Sequence, residues 1–396
     1  MANVTFALLF NEWPKQKPFY IDKLETAKVK FPRPTSDFFP VLRERVNNYF
    51  TENNISKHAN WVMVTKTISI LLIWGVTYGL ILSNIFVSMP WLILLLCAIN
   101  GIYTAQIGLN IGHDAVHGSY SSKIKVNKWL SIIFNLAGAN DYVWTITHNM
   151  LHHTFTNIPD HDDDLNQPGI LRVSPDKKLK WIHKYQHIYV YFLYTLSSLS
   201  WVMMKDYKKF FAKKLGAEDN KKHPRKEYFR LFFYKALYYI IVLVIPMLVV
   251  DFTWYQILFG FYFAHIFEGL NLALVFHMAH LVEGTDYPVP NVKGSIENSF
   301  AIHQMHTTAD FSRKSPIANW FCGGLNFQVE HHLFPLICHV HYKHISPIVE
   351  ETAKEFGVPF IENKTFAGAL ASHTRLLKRL GGIEREKNYS NFGSII

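Results

Sequence analysis

Three groups of side chains in this sequence have the types and spacing of metal ligands: His113 with His117; His148, His152 and His153; and Gln328, His331 and His332. Histidines four apart stack on one face of a helix, a turn above one another, so His113/His117 and His148/His152 present paired imidazoles. His153 is displaced from His152 by about 100° on a regular helix, which lets the second group reach two ions. Gln328 precedes His331 and His332 by three and four residues, with the same consequence. Zinc usually takes three or four protein ligands, so this many side chains predict two ions. Isolated histidines such as His58, His223 and His373 read as solvated or hydrogen-bonded; three groups at helical spacing read as a set.

The elements that must carry these groups are apolar. Hydrophobic residues make up 49% and aromatic residues 15% of the chain, against 18% charged, which favours a membrane protein. No charged residue occurs from Thr67 to Gly112, and a turn-like stretch from Ser83 to Pro90 divides that run. At about 20 residues per crossing this predicts one helical hairpin. Leu231–Val250 and Trp254–Phe276, separated by Asp251 and Phe252, predict a second.

The fold expected is an all-α, multi-pass integral membrane protein with four transmembrane helices in two hairpins and a cytoplasmic helical cap holding the histidines. Its segments would be a cytoplasmic stretch 1–66, hairpin 67–112, cap 113–230, hairpin 231–276 and cap 277–396. The basic stretch Lys205–Arg230 and the basic tail before Thr67 place both termini and all three groups on the cytoplasmic side. The apolar stretch Ile188–Met204 would upset this parity if it crossed, so the region near 188–204 reads as an interfacial helix rich in Tyr and Trp.

The net charge of +10 favours anionic headgroups or an acidic redox partner; nucleic acid is disfavoured because the basic residues flank apolar spans. Only Cys97, Cys322 and Cys338 are present and no C-x-x-C pair, which excludes a thiolate-built cluster. The apolar run Phe6–Phe10 is too short and too interrupted for a signal peptide. Imidazole suits zinc, copper, iron and nickel alike. An alkyl chain, however, offers no oxygen for a Lewis acid to polarise, so chemistry on lipid needs dioxygen and a metal that changes valence, and iron leads.

Asp114, Glu330 and the run Asp160 to Asp164, with Asp160 and Asp164 singled out, are expected to orient imidazoles by accepting their distal N–H groups. His265 and Glu268 lie within the last span at i and i+3, where ionisable groups are costly in lipid, and are expected to face the bundle interior or a substrate tunnel. His161, His183 and His187 read as structural.

The boxes His113-Asp114-x-x-His117, His148-x-x-x-His152-His153 and Gln328-Val329-Glu330-His331-His332 resemble those of the membrane fatty acid desaturases. Gln328 at the head of the third box is similar to the front-end subgroup, which places a double bond toward the carboxyl end of an acyl chain. The similarity extends through Thr154-Phe155-Thr156-Asn157, Gly323-Gly324-Leu325-Asn326 and Leu333-Phe334-Pro335, over roughly residues 60 to 380. The resemblance implies two iron ions, dioxygen as co-substrate, a membrane-associated fatty acyl substrate carried on coenzyme A, carrier protein or intact lipid, and one further ligand just beyond the last span. His280-Leu281-Val282-Glu283 fits that position, leaving His277 as a supporting group or helix cap. The His-Pro-Gly-Gly haem motif of fused cytochrome b5 domains is absent from the sequence, which implies a separate electron donor such as ferredoxin or cytochrome b5. A lipid hydroxylase or alkane monooxygenase would use the same metals. A metal transporter or sensor fits less well, since transporters place their ligands near mid-membrane.

Overall fold

The computed structural model describes residues 29–383 apart from positions 166, 168 and 221. The run Phe6–Phe10 and the end of the chain after 383 lie outside the described residues. In chain order the helices are α1 (Phe38–Glu52), α2 (Trp61–Leu82), α3 (Pro90–His117), α4 (Ile124–Leu136), α5 (141–155), α6 (Gln186–Thr195), α7 (197–211), α8 (Arg225–Val249) and α9 (Trp254–His280). These are followed by α10 (Phe300–Thr307), α11 (Pro316–Phe321), α12 (Gln328–Leu333), α13 (Tyr342–Glu355) and α14 (Phe366–Lys378). Among the described residues α2, α3, α8 and α9 are long and apolar enough to cross a membrane.

The starts of these spans follow local chemistry. The Asn60 side chain accepts the Met63 N–H (3.2 Å) to cap α2, Pro90 supplies a preset φ at the first position of α3, and Thr253 with Gln256 forms a capping box on α9. Their ends differ from the sequence expectation. No breaker separates Gly112 from His113 or Phe276 from His277, so α3 runs on to His117 and α9 to His280. His113, His117 and His280 thus stand on the ends of the span-length helices themselves, with no linker between.

Two stretches depart from regular helix. Within α3, Ile107–Gly112 is π-helical and the His113 N–H donates to Gly108 O; within α5, Thr145–His152 is π-helical and the His153 N–H donates to His148 O. Such i to i+5 turns are uncommon and cluster at functional positions. The stretch near 188–204 is two helices, α6 and α7, joined at Leu196, neither of them span-length, and both pack against α9.

The remaining helices form a cap. Phe38, Leu42, Val46 and Phe50 recur every four residues on α1 and are all buried, against Met305, Val329, Leu333, Tyr342 and Val349. That stripe clamps α1 over α12 and α13. Two-residue strands β1 (Lys214–Leu215) and β2 (Glu218–Asp219) form an antiparallel pair, and β3 (Asp310–Phe311) runs parallel to β4 (Glu362–Asn363). Gly323 and Gly324 both have positive φ, and a Cβ at Gly323 would lie 2.3 Å from Leu109 O. Only glycine permits this turn to sit on α3 and feed α12 into the site.

α3 packs between α2 and α9. Its approach to α9 is set by Gly101, where an added Cβ would fall 2.1 Å from Ala264 O. The substitution Gly101→Val should therefore force the two spans apart and cost at least about 1–3 kcal/mol. A lower melting temperature of the detergent-solubilised variant would show it; an unchanged one would contradict this packing.

Candidate metal centre

The three sequence groups converge with His280 into one buried cage. His113 Nε2 lies 3.3 Å from His148 Nε2, which in turn lies 3.2 Å from His153 Nε2. On the other side His152 Nε2 is 3.2 Å from His280 Nε2, and Gln328 Nε2 is 2.7 Å from the same atom. Two sets of ligand atoms result, His113/His117/His148/His331 and His152/His280/His332, with His153 bridging toward His331 and His332. The π turn in α5 explains the division: it brings His148 and His153, five apart, nitrogen to nitrogen, and turns His152 toward His280. Regular helical spacing had instead paired His148 with His152.

Outer partners fix several rings. His152 Nδ1 donates to Asp162 Oδ2 (3.0 Å), His280 Nδ1 to Thr307 O (3.2 Å), and His332 Nδ1 to Gln304 Oε1 (2.8 Å), while His331 Nδ1 is 3.3 Å from the Tyr342 hydroxyl. Each contact leaves Nε2 aimed inward. Among the described residues, Nε2 of His117, His331 and His332 and Oε1 of Gln328 are buried without any hydrogen-bond partner. Buried polar atoms are normally satisfied. Nitrogens each about 2.1 Å from one ion would lie about 3–3.4 Å apart, given metal–imidazole bond lengths near 2.0–2.1 Å, and the imidazole pairs at 3.2 and 3.3 Å agree. The donor set fits metal ions on both sides.

Several expected supporting residues are placed differently. Asp160 is exposed and pairs with Lys177 (2.6 Å), away from the imidazoles. Asp164 Oδ2 is 3.6 Å from His152 Nδ1, farther than Asp162. Nothing in the spacing of the aspartate run separates these roles; the fold does, because Asp162 is buried and also accepts the Asn157 N–H. Asp114 turns away from His113 and accepts from His339 Nδ1 (2.8 Å) and Cys338 Sγ (3.0 Å), with Lys66 Nζ 3.1 Å from His339 Nε2 behind them. Glu330 is buried rather than turned to an imidazole, and Asp310 Oδ1 accepts the Val329 N–H (3.0 Å), which ties α12 to β3. Burial, then the neighbouring Glu330 charge, push Asp310 well above the usual carboxylate range. His277 stacks on Tyr194 (4.7 Å) and donates back to Ala273 O, outside the cage. Gln304, Thr307 and Tyr342 carried no sequence signal as ligand supports.

Burial and then neighbouring imidazoles push His148, His153, His331 and His332 well below the ordinary imidazole range. They are neutral at pH 7, ready to ligate. Burial opposes protonation of His152 as well, but the charge and hydrogen bond of Asp162 outweigh it and raise His152.

Apolar space borders the cage. A constricted pocket of about 30 Å³ touches His113, Trp144, Phe276 and Leu272. Thr104 and Glu268 line both this pocket and a cavity of about 570 Å³ between the spans, which reaches Pro90, Phe252 and Tyr255 at the far end of the helices. His265 lines the larger cavity.

The profile of the family described as fatty acid desaturase matches residues 89–364. A sn-1 linoleoyl-lipid 6-desaturase of Arthrospira platensis is 35% identical over 90% of this chain and 95% of its own, and its Synechocystis counterpart is 34% identical over 90% and 99%. The chain belongs to the fatty acid desaturase family. An acyl-lipid (8-3)-desaturase of Physcomitrium patens is 34% identical over 91% of the chain and 75% of its own. The desaturase is thus a membrane oxidoreductase whose histidine boxes form the cage described above.

Two outcomes follow from the cage. Replacing Asp162 by Asn should weaken metal binding about 10–100-fold through the freed His152 ring, measured by metal titration, whereas Asp160→Asn should leave it unchanged; equal effects would contradict the assignment. In metal-stripped desaturase, the four histidines held below their unfolded value of 6.5 lend stability that is present above that pH and lost below it, about 1.4 kcal/mol per pH unit each. His152, raised instead, gains its stabilisation as pH falls from its folded value to 6.5 and adds no slope below that. Melting temperature should fall between pH 7 and 5; a flat profile would contradict it.

Proposed function

We propose that this desaturase crosses the membrane several times and holds two iron ions on its cytoplasmic side. His113, His117, His148 and His331 hold one, His152, His280 and His332 the other, with His153 between them and Gln328 closing the His280 side. What supports the reading is adjacency: the pocket touching His113 and the deep, mostly apolar cavity between the spans share Thr104 and Glu268 in their walls. Bound there, iron supplies the change of valence with which dioxygen can take hydrogen from an unactivated C–H bond.

The chain's own residues position the substrate. Trp144 stacks over His148 at 4.5 Å and Phe276 lies 5.6 Å from Trp144, so the methylenes beside the cage meet aromatic walls that exclude water. Holding them still is a large part of catalysis. Making –CH=CH– from –CH2–CH2– while dioxygen becomes two waters takes up two further electrons and two protons, so an external donor of the ferredoxin or cytochrome b5 kind is required. A net charge of +10 favours an acidic one.

Relatives are named for linoleoyl-lipid and other acyl-lipids. We assign this chain an acyl-lipid that already carries unsaturation, with the new bond toward the carboxyl end. A bond made there leaves most of the acyl chain beyond the metals, and the cavity of about 570 Å³ offers room for it.

Expression in a host without this activity, supplied with linoleoyl and stearoyl lipids, tests the reading by mass spectrometry. Products lighter by two hydrogens, with the new bond on the carboxyl side of existing ones, are expected from the unmodified chain and not from His331→Ala. A product heavier by one oxygen would assign a hydroxylase instead. Unchanged turnover in His331→Ala would remove the cage from the reaction.

A further inference from the structure

Lys66 is the single charged residue of α2. A lysine near the start of a span normally runs its ammonium out to the headgroups, but Lys66 is only 3% exposed. Its Nζ lies 3.1 Å from His339 Nε2, donates to Asn319 O (3.3 Å) and sits 5.4 Å from the centre of the Trp320 ring. An ammonium has hydrogens to give and no lone pair, so His339 Nε2 must accept. Burial holds His339 below the ordinary imidazole range and so neutral. The ring's one N–H then stands at Nδ1, which donates to Asp114 Oδ2 (2.8 Å); Cys338 Sγ donates to the same oxygen (3.0 Å). Lys66 and Asp114 are thus the two ends of a buried chain through one imidazole, and it joins α2, the end of α3 and the cap.

We propose that Lys66 is a positioning residue for the metal centre: by donating to His339 it fixes the tautomer that grips Asp114, and with it the helix end carrying His113 and His117. The proposal rests on the metal-binding reading of the cage. Its reason lies in what His113 lacks. His152, His280 and His332 each have an acceptor at Nδ1, whereas His113 Nδ1 is buried without a hydrogen-bond partner among the described residues. No outer hydrogen bond aims that ring, so its direction follows from the backbone that carries it. Asp114, about 100° further round the helix, is where the cap takes hold of that backbone. In the opposite tautomer a nitrogen lone pair would face the Asp114 carboxylate, and a buried anion would keep only the weak thiol donor. The helix end would turn to find another, carrying His113 and His117 off the cage. The structural alternative is that Lys66 merely ties α2 to the cap at Asn319 and Trp320. That role does not pass through the hydrogen on His339.

Asparagine at position 339 separates the two, because its amide nitrogen stands where Nδ1 stood and donates to Asp114 whatever Lys66 does. The metal-stripped full-length protein in detergent is titrated with ferrous ion without oxygen, as the unmodified chain, Lys66→Met, His339→Asn and the double variant. Lys66→Met should weaken binding about 10–100-fold in the unmodified background. In the His339→Asn background the same substitution should change the affinity by less than about twofold, since the donor no longer depends on it. Equal losses in both backgrounds overturn the proposal in favour of the structural tie. A lower melting temperature with unchanged affinity overturns it as well. If Lys66→Met does not accumulate, Lys66→Gln takes its place with the same expected contrast, because an amide can accept as well as donate and no longer dictates the tautomer. An unmodified chain that binds no ferrous ion would overturn the reading of the cage itself, whereas one that binds it with equal affinity in every variant overturns this proposal alone.

Discussion

Everything in this protein is arranged around the burial of imidazole nitrogens that have no partner of their own. A buried polar atom left unsatisfied costs on the order of 1–3 kcal/mol, and the cage leaves Nε2 of His117, His331 and His332 in that condition side by side. Apolar replacements would be cheaper for folding alone. The arrangement makes sense if cations satisfy these atoms in the working protein. Once that is granted, the outer contacts follow: Asp162, Thr307, Gln304 and Tyr342 grip the opposite nitrogens and hold the rings facing inward.

The same constraint dictates how the helices end. Ligands must come from α3, α5, α9 and α12 to one small volume, so α3 and α9 carry their helical geometry out of the apolar region into the cage without a loop. The π turns provide the adjustment that a regular helix cannot. In α3 the turn directly precedes His113; in α5 it decides which ligand set each histidine joins. Close packing then transmits the positions. Gly101 lets α3 meet α9, and Gly323 lets the cap rest on α3, so the cage and the cavity between the spans are built on the same helices.

Much of this was legible in the residues. The histidine groups read as one set because each recurs at helical spacing beside an apolar run, and His280 was preferred to His277 through the motif around it. The number of span-length helices was also legible, since an uncharged apolar run of about 20 residues is what a helix needs to cross a bilayer. What could not be read were choices made by tertiary contact. Asp162 rather than Asp160 meets His152, because the loop folds one aspartate inward and leaves the other to Lys177. Asp114 looks like the natural support for His113 by adjacency, yet the cap brings His339 and Cys338 to it from more than two hundred residues away. The i to i+5 turns are invisible to any argument from regular periodicity, so the pairing of His148 with His153 had no sequence signal.

The central claim is that this single cage holds two ions, and metal analysis of the purified protein with Mössbauer spectroscopy tests it most directly. Two irons per chain with the signature of a coupled pair, lost together when either His148 or His152 is replaced by Ala, is the expected result. One iron per chain, zinc in place of iron, or independent loss of two uncoupled irons would contradict it.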